Sequence, residues 1–414
     1  MAKNFLTGFP SPGELLSGSS AEPGTFLFEA NCHIHTPFSF SAFDDLDSLF
    51  RKAAEEKIDV LGINDFFVTD GYRPFHEGCT GSRIFPLFNI EFIGLMTEEQ
   101  ANKIRINDPN NPGRIYFCGK GLDYPFHLGK ENLKLLSAVK KETQKQLMSM
   151  ISRLNNLIEK RGFPLRLDFE VMHKRFAHEL VRERHIAKAL RYLAAENFST
   201  DEERIRFIET LYGDKKSEQG FSDPAALENE IRSNLLKAGG SAFVEEDEKS
   251  FLPVKKIIEI IIDAGGIPCY PVLLDDPSGK FTEFEDEREK LMEALNYMGV
   301  GCIELIPGRN AHQMLSEFVE YFDKHDFIIT FGTEHNTPVM VPLTVTAKNG
   351  MPLDERLKQI NRRGACVVAA HQYLHAQEQN GYIGADGKPL KSHKREFESI
   401  GQSVIEFYLR GKQK

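Results

Sequence analysis

The sequence has no tryptophan, no CxxC pair, no long apolar run and no excess of basic residues. Without tryptophan, and with no periodic stripe among the phenylalanines and tyrosines, nothing in it suggests a platform for stacking nucleic-acid bases. The six cysteines (Cys32, Cys79, Cys118, Cys269, Cys302 and Cys366) are scattered, four of them inside apolar runs, so buried reduced thiols are expected and not disulfides. No stretch approaches the roughly 18 to 20 apolar residues of a membrane span, and MAKNFLTGFPSPGELLSG lacks the charged start and continuous apolar region of a signal peptide. A soluble cytoplasmic protein is the expectation. Lys+Arg 51 against Asp+Glu 61 gives a net charge of −10, which excludes a broad basic surface for nucleic acid and leaves room for a local basic pocket. Neither GxxxxGK[ST] nor GxGxxG occurs; CGKGL around Lys120 reads as a short turn, not a phosphate loop.

What is present is a chain of 414 residues, 41% hydrophobic and 27% charged, long enough to bury a sizeable core unaided. Residues 1–24, rich in Gly, Pro and Ser, read as a loose leader. Apolar strand-like runs then alternate with amphipathic helices: TFLFEANCHIH, IDVLGIND, RIFPLFNIEFIGL and RIYFCGKGL, and later IPCYPVLL, GCIELIPG and FIITFGTEH. Between about 130 and 240 the apolar residues recur only at helical spacing, which marks a helical insertion. SFLPVKKIIEIIIDAGG reads as a helix with Pro253 in its first turn. Residues 341–414 read as a C-terminal extension packed on the rest: helix LDERLKQINRRG, apolar run ACVVAAHQYL, and a final helix. The alternation fixes the class as α/β with a parallel sheet, and the strand count favours a barrel over residues 25–340.

In such a barrel the reactive groups lie where strands end. The strands here end in His33-Ile34-His35, Asn64-Asp65, Glu91, Tyr116, Tyr270, Glu304 and Glu334-His335. Two residues apart on a strand, His33 and His35 project from one face and can share an ion, which carboxylates from later strands would complete. The same pair could equally cap a strand and bond to backbone.

In their order, CHIHTPFSFS, LGINDFFVTDG, FPLFNIEF and FIITFGTEH resemble the motifs of the polymerase and histidinol phosphatase (PHP) family of metal-dependent phosphoesterases. RERHIAKAL with GGSAFVEEDEKSFLPVKKIIEIIIDAGGIPCYP is similar to the branch that hydrolyses nucleoside monophosphates and short oligonucleotides. The likeness spans roughly residues 27–340 and implies a distorted (β/α)7 TIM-like barrel, a metal centre at its C-terminal face and phosphate-ester hydrolysis. The chain departs from the pattern at the ligands. Phe66, Tyr116 and Tyr270 stand where the family has histidine, and Gly-Thr-Glu-His-Asn turns the last aspartate into Glu334 and the last histidine into Asn336, unless His335 swings in. Phenylalanine cannot ligate a metal, and a neutral phenol is a poor substitute for imidazole. His33, His35, Glu91 and Glu334, with His335, are left to hold a single Zn²⁺, Mn²⁺ or Fe²⁺ ion.

Asp65 or Tyr270 would orient water, and the resemblance places His185 and an arginine, Arg184, against the substrate phosphate; Arg309 follows the sixth strand and could meet the same group. The bland alternatives are a solvated basic helix face with one packed histidine and a solvated loop arginine. His371, ending ACVVAAH, is expected to be packed or capping and not a ligand. The leading expectation is a metal-dependent phosphoesterase acting on a nucleotide or another small phosphorylated substrate. A catalytically silent PHP barrel serving as a binding or regulatory module is the alternative. Amidohydrolase-like C–N hydrolysis ranks last, because no second HxH occurs and no lysine is expected at a strand end.

Overall fold

Along the chain a 3-10 turn (Phe5–Gly8) and helix α1 (Pro12–Gly18) precede β1 (Ala30–Ile34), α2 (Leu46–Glu55), β2 (Val60–Phe66), α3 (Tyr72–Ser82), β3 (Phe85–Leu95), the short α4 (Thr97–Ala101) and β4 (Arg114–Lys120). Helices α5 (Lys130–Lys160), α6 (Phe169–Phe176), α7 (Glu183–Asn197), α8 (Asp201–Leu211) and α9 (Pro224–Ile231) form the insertion. Alternation resumes with α10 (Val254–Asp263), β5 (Ile267–Pro271), α11 (Arg288–Tyr297), β6 (Cys302–Leu305), α12 (His312–Lys324) and β7 (Ile328–Phe331), and the chain closes with α13 (Glu355–Ala376) and α14 (Lys394–Arg410). This is a computed structural model, and it describes residues 4–18, 26–275 and 279–411.

Local chemistry accounts for several boundaries. Asp45 and Asp354 accept the free N–H groups of Ser48 and Leu357 at the starts of α2 and α13, and Thr200 and Glu203 cap α8 reciprocally. Pro253 takes the cap position of α10, whose Ile257, Ile260 and Ile261 recur at helical spacing and are buried.

The strands lie in the order β1-β2-β3-β4-β5-β6-β7, and a parallel bridge from Ile34 to Glu334 returns the last strand to the first. The result is a nearly closed seven-stranded barrel wrapped by helices. The sheet is not wholly parallel, however: β4 runs antiparallel to both β3 and β5. The link explains it. Residues 96–113 hold only α4, and the chain turns back from Leu95 to its partner Arg114 instead of crossing to the far end of the sheet.

Pleating then assigns the faces. Ile63, Ile90, Phe117, Tyr270 and Ile303 point outward into one apolar cluster with helix residues such as Ile261, Leu295 and Phe318. Inside, Glu91 lies opposite Cys118, Cys118 opposite Cys269 and Cys269 opposite Cys302.

Helix α13 closes the barrel at two places. Asn361 accepts from Phe331 N (2.7 Å) and donates to Ala30 O (2.9 Å), stitching β7 to β1 where the ladder has a single bridge. Further on, Gln372 accepts from Phe88 N and donates to Pro86 O at the start of β3. Between them α13 runs so close to β7 that a Cβ on Gly364 would strike the Ile329 carbonyl. It packs with Cys32, Leu87, Ile267 and Cys302 at the end where the parallel strands begin. The run ACVVAAHQYL, expected as a separate element, is therefore the second half of this helix, apolar all round because it is buried all round.

The leader is not loose where it is described. Leu6 and Leu15 are buried against α13 and α14, the Leu6 carbonyl accepts from Gln377 Nε2 at 2.9 Å, and the Pro10 carbonyl accepts from Tyr373 Oη. Its residues 1–3 and 19–24 lie outside the described residues. The insertion has its own core around Leu154, Ile158, Leu190, Phe207 and Leu235. It docks on the loop after β1, where Leu180 N donates to Phe38 O at 2.9 Å and His178 N to Pro37 O at 3.2 Å, which carries the start of α7 to the barrel mouth. Among the described residues no helix is long and apolar enough to cross a membrane.

Candidate metal centre

β1 delivers His33 and His35 to the interior, and β3 delivers Glu91 across from them. His33 Nε2 and His35 Nε2 are 3.2 Å apart; Glu91 Oε2 is 3.0 Å from the latter and 3.8 Å from the former. All three side chains are buried.

The outer ring nitrogens set the tautomers. A carboxylate can only accept, so His33 Nδ1–H donates to Glu304 Oε1 at 2.7 Å, leaving the Nε2 lone pair toward Glu91. His35 Nδ1–H reaches Ser39 Oγ at 3.3 Å, and Ser39 donates in turn to Asp65 at 2.6 Å. Burial pushes the His35 ring down to about 4, so it is neutral at pH 7. The Asn64 amide nitrogen, 3.0 Å from His33 Nε2 and 3.2 Å from Nδ1, sits off the lone-pair line of either.

Two imidazole lone pairs and a carboxyl oxygen thus converge on one point. Among the described residues Glu91 Oε2 has no hydrogen-bond partner, and burial pushes its carboxyl up to about 8. An orphaned buried acceptor beside two imidazole lone pairs fits a divalent cation, and this donor set suits Zn²⁺, Mn²⁺ or Fe²⁺.

Glu304 and Lys120 join the site although the sequence motifs do not mark them as part of it. Lys120 Nζ pairs with Glu304 Oε2 inside the barrel. Burial opposes both charges, but attraction to His33 and then to Lys120 outweighs it and holds Glu304 down at about 2, while Glu304 raises the lysine above its ordinary value. Two signals were available: Glu304 alternates in phase with Cys302, and a lysine inside the apolar run IYFCGKGL requires a buried partner. Lys120 does end a strand, contrary to expectation. Because β4 is inverted, that end lies toward the closed floor of the barrel, opposite Ile267 at the start of β5.

The other expected residues are placed differently. Asp65 stands behind His35 with its oxygens taken by Thr36 N, Thr36 Oγ1 and Ser39 Oγ, so it orients a ligand and does not face the opening of the group. Tyr270 points outward, since its neighbours on β5 point in, and its hydroxyl donates to Glu285 at 2.6 Å. Glu334 is paired with Arg309 and is outside the converging set, which consists of His33, His35 and Glu91. His335 has both ring nitrogens engaged, Nδ1 with Thr333 Oγ1 (2.9 Å) and Nε2 with the Val341 carbonyl (3.0 Å).

His185 accepts from Arg182 N at 2.9 Å, capping α7 beside the Phe40 ring, and burial holds it neutral with its pKa lowered to about 3. Arg184 donates to Asn229 at 3.0 Å. His371 spans Gly265 O and Tyr382 N below the barrel, as a packed residue. The substituted positions are closed by rings: Phe66 stacks on His35 (centroids 4.6 Å apart), and Tyr116 stays protonated because burial raises its pKa. Above Phe66 lies the Arg182 guanidinium, 4.2 Å from the ring centroid, with no carboxylate within 4.0 Å among the described residues.

Fold and site together define an α/β barrel with a histidine–carboxylate group in its interior. Residues 31–216 match the PHP domain family. The barrel is completed by β5–β7, which lie beyond the matched segment. The fold is shared with a Bifidobacterium adolescentis protein assigned as a metal-dependent phosphoesterase: 15% identity, TM-score 0.53, covering 82% of this chain and 96% of that one. An amidohydrolase from Chromobacterium violaceum, solved with bound sulfate and no metal, is 15% identical with a TM-score of 0.48 over 80% of this chain and 96% of its own. No curated protein matches the sequence.

Proposed function

We propose that this chain is a metal-dependent hydrolase of phosphate esters, working with one divalent cation, Zn²⁺, Mn²⁺ or Fe²⁺, held by His33 Nε2, His35 Nε2 and Glu91. The observation that carries the reading is the convergence of these atoms around an unpartnered carboxylate oxygen. A divalent cation there supplies positive charge against the phosphoryl oxygens as negative charge builds on them. Glu304 and the Ser39–Asp65 chain hold the two imidazoles in the ligating tautomer. Arg182, free of carboxylates at the mouth, is the group that meets the anionic substrate, with the flat face of Phe66 fixing its plane.

The substrate class is a nucleotide or another small phosphorylated molecule. A buried centre and a net charge of −10 both disfavour a long polyanion.

Metal content and turnover of the full chain test the proposal together. The expected result is about one equivalent of metal by mass spectrometry, with hydrolysis of phosphate mono- or diesters, both lost in His33→Ala. Bound metal without turnover across such a panel would establish a silent binding module. Absence of metal from protein loaded with Zn²⁺, Mn²⁺ and Fe²⁺ in turn would refute the centre.

A further inference from the structure

The ion pair of Lys120 and Glu304 lies next to the proposed centre, on the side of the barrel floor. Lys120 is 1% exposed and Glu304 0%. Besides Glu304 Oε2, Nζ has the Asn64 Oδ1 at 3.3 Å and the Cys32 carbonyl at 3.4 Å, so every neighbour is an acceptor. The same spot is a second potential cation position. His33, Cys118 and Glu304 offer ligand atoms within 4.8 Å of one another, and this group shares His33 with the first. The two positions differ in one respect. Glu91 Oε2 in the first has no partner, whereas Glu304 in the second already has an ammonium.

We propose that Lys120 is the chain's own cation in this second position: its ammonium neutralises Glu304 and keeps a divalent ion off His33, Cys118 and Glu304. The inference rests on the proposed centre at His33, His35 and Glu91, and makes Lys120 the residue that fixes the number of ions at one. A tethered monovalent charge keeps Glu304 available as the acceptor for His33 Nδ1, which a second ion on Glu304 and Cys118 would disturb. It offers no Lewis acidity, so Lys120 is a positioning residue and not a catalytic one.

Cobalt substitution of the full chain reads this directly, because a thiolate ligand adds a near-ultraviolet charge-transfer band that nitrogen and oxygen ligands lack. In Lys120→Ala we expect one more Co²⁺ per chain than in the wild type, accompanied by that band, and loss of both the extra ion and the band in Lys120→Ala/Cys118→Ser. Lys120→Arg, which keeps the cation, is expected to match the wild type. If Lys120→Ala takes up no additional cobalt, or takes it without the thiolate band, the inference is overturned. Should Lys120→Ala prove insoluble, Lys120→Gln, which retains length and a neutral donor, is read the same way. A wild type that binds no cobalt refutes the proposed centre; the role of Lys120 is decided by the difference between variant and wild type.

Discussion

Glu304 accepts a hydrogen bond from His33 across 271 positions of sequence, and that bond turns the opposite nitrogen of the ring toward Glu91. Removing the acceptor therefore acts on a cation that Glu304 never touches. Glu304→Ala is expected to weaken metal binding about 10- to 100-fold, the usual cost of losing such a supporting partner. Chelator competition measures it, and unchanged affinity would show that His33 is oriented without Glu304.

Glu91 presents an unpartnered oxygen to the interior. In metal-free protein above about pH 8, where its buried carboxyl is ionised, Glu91→Gln should raise stability by about 1–3 kcal/mol, because a neutral amide replaces a carboxylate that has no donor among the described residues. The same variant should lose metal-induced stabilisation. Denaturant titrations with and without metal separate the two effects; a destabilised apo variant contradicts this account.

Arg182 stacks on Phe66 with its charge unpaired among the described residues. Arg182→Ala is predicted to raise KM for a phosphate ester about tenfold while leaving kcat within about twofold, the pattern of lost binding common to ground and transition states. A fall in kcat with constant KM would place Arg182 in the chemical step instead.

Glu285 accepts from Tyr270 Oη, Leu273 N and Leu274 N, yet burial pushes its carboxyl up to about 7. A folded pKa above the unfolded value means that its contribution to stability is full below about 4.5 and declines as pH rises through about 7. Relative to Glu285→Gln, the wild type should lose stability over that window. Parallel curves for the two proteins from pH 4 to 8 would rule out the shift.

Asn361 holds the barrel seam through two buried backbone groups, Phe331 N and Ala30 O. Asn361→Ala leaves both without a partner and should cost about 2–6 kcal/mol in chemical denaturation, since each orphaned group costs roughly 1–3 kcal/mol. A loss below about 0.5 kcal/mol would mean that the single Ile34–Glu334 bridge suffices.

Much of the molecule is legible in one dimension. Helical and strand periods gave the alternation and the insertion, and HxH on a strand put both imidazoles on one face. Glu91 reads in the sequence as the polar end of an apolar run; in the structure it lies within the strand Phe85–Leu95, 3.0 Å from His35 Nε2. Tyr270 ends an apolar run yet is flanked by inward Cys269 and Pro271 and so faces out, because the pleat and not the strand end sets its direction. Glu334 and His335 were expected at the centre from their position after the last strand. Both adopt positive φ there, 62° and 59°, and turn to Arg309, Thr333 and Val341 instead.

By itself, then, the sequence determined the α/β class and which side chains share a face within each strand, because those depend on periods of two and 3.6 residues that any local stretch carries. Only the tertiary structure decided that β4 is inverted, that Lys120 therefore approaches from the floor to meet Glu304, and that Asn361 closes the seam. Strand direction and the meeting of residues hundreds of positions apart depend on how the whole sheet closes, and no local period records that.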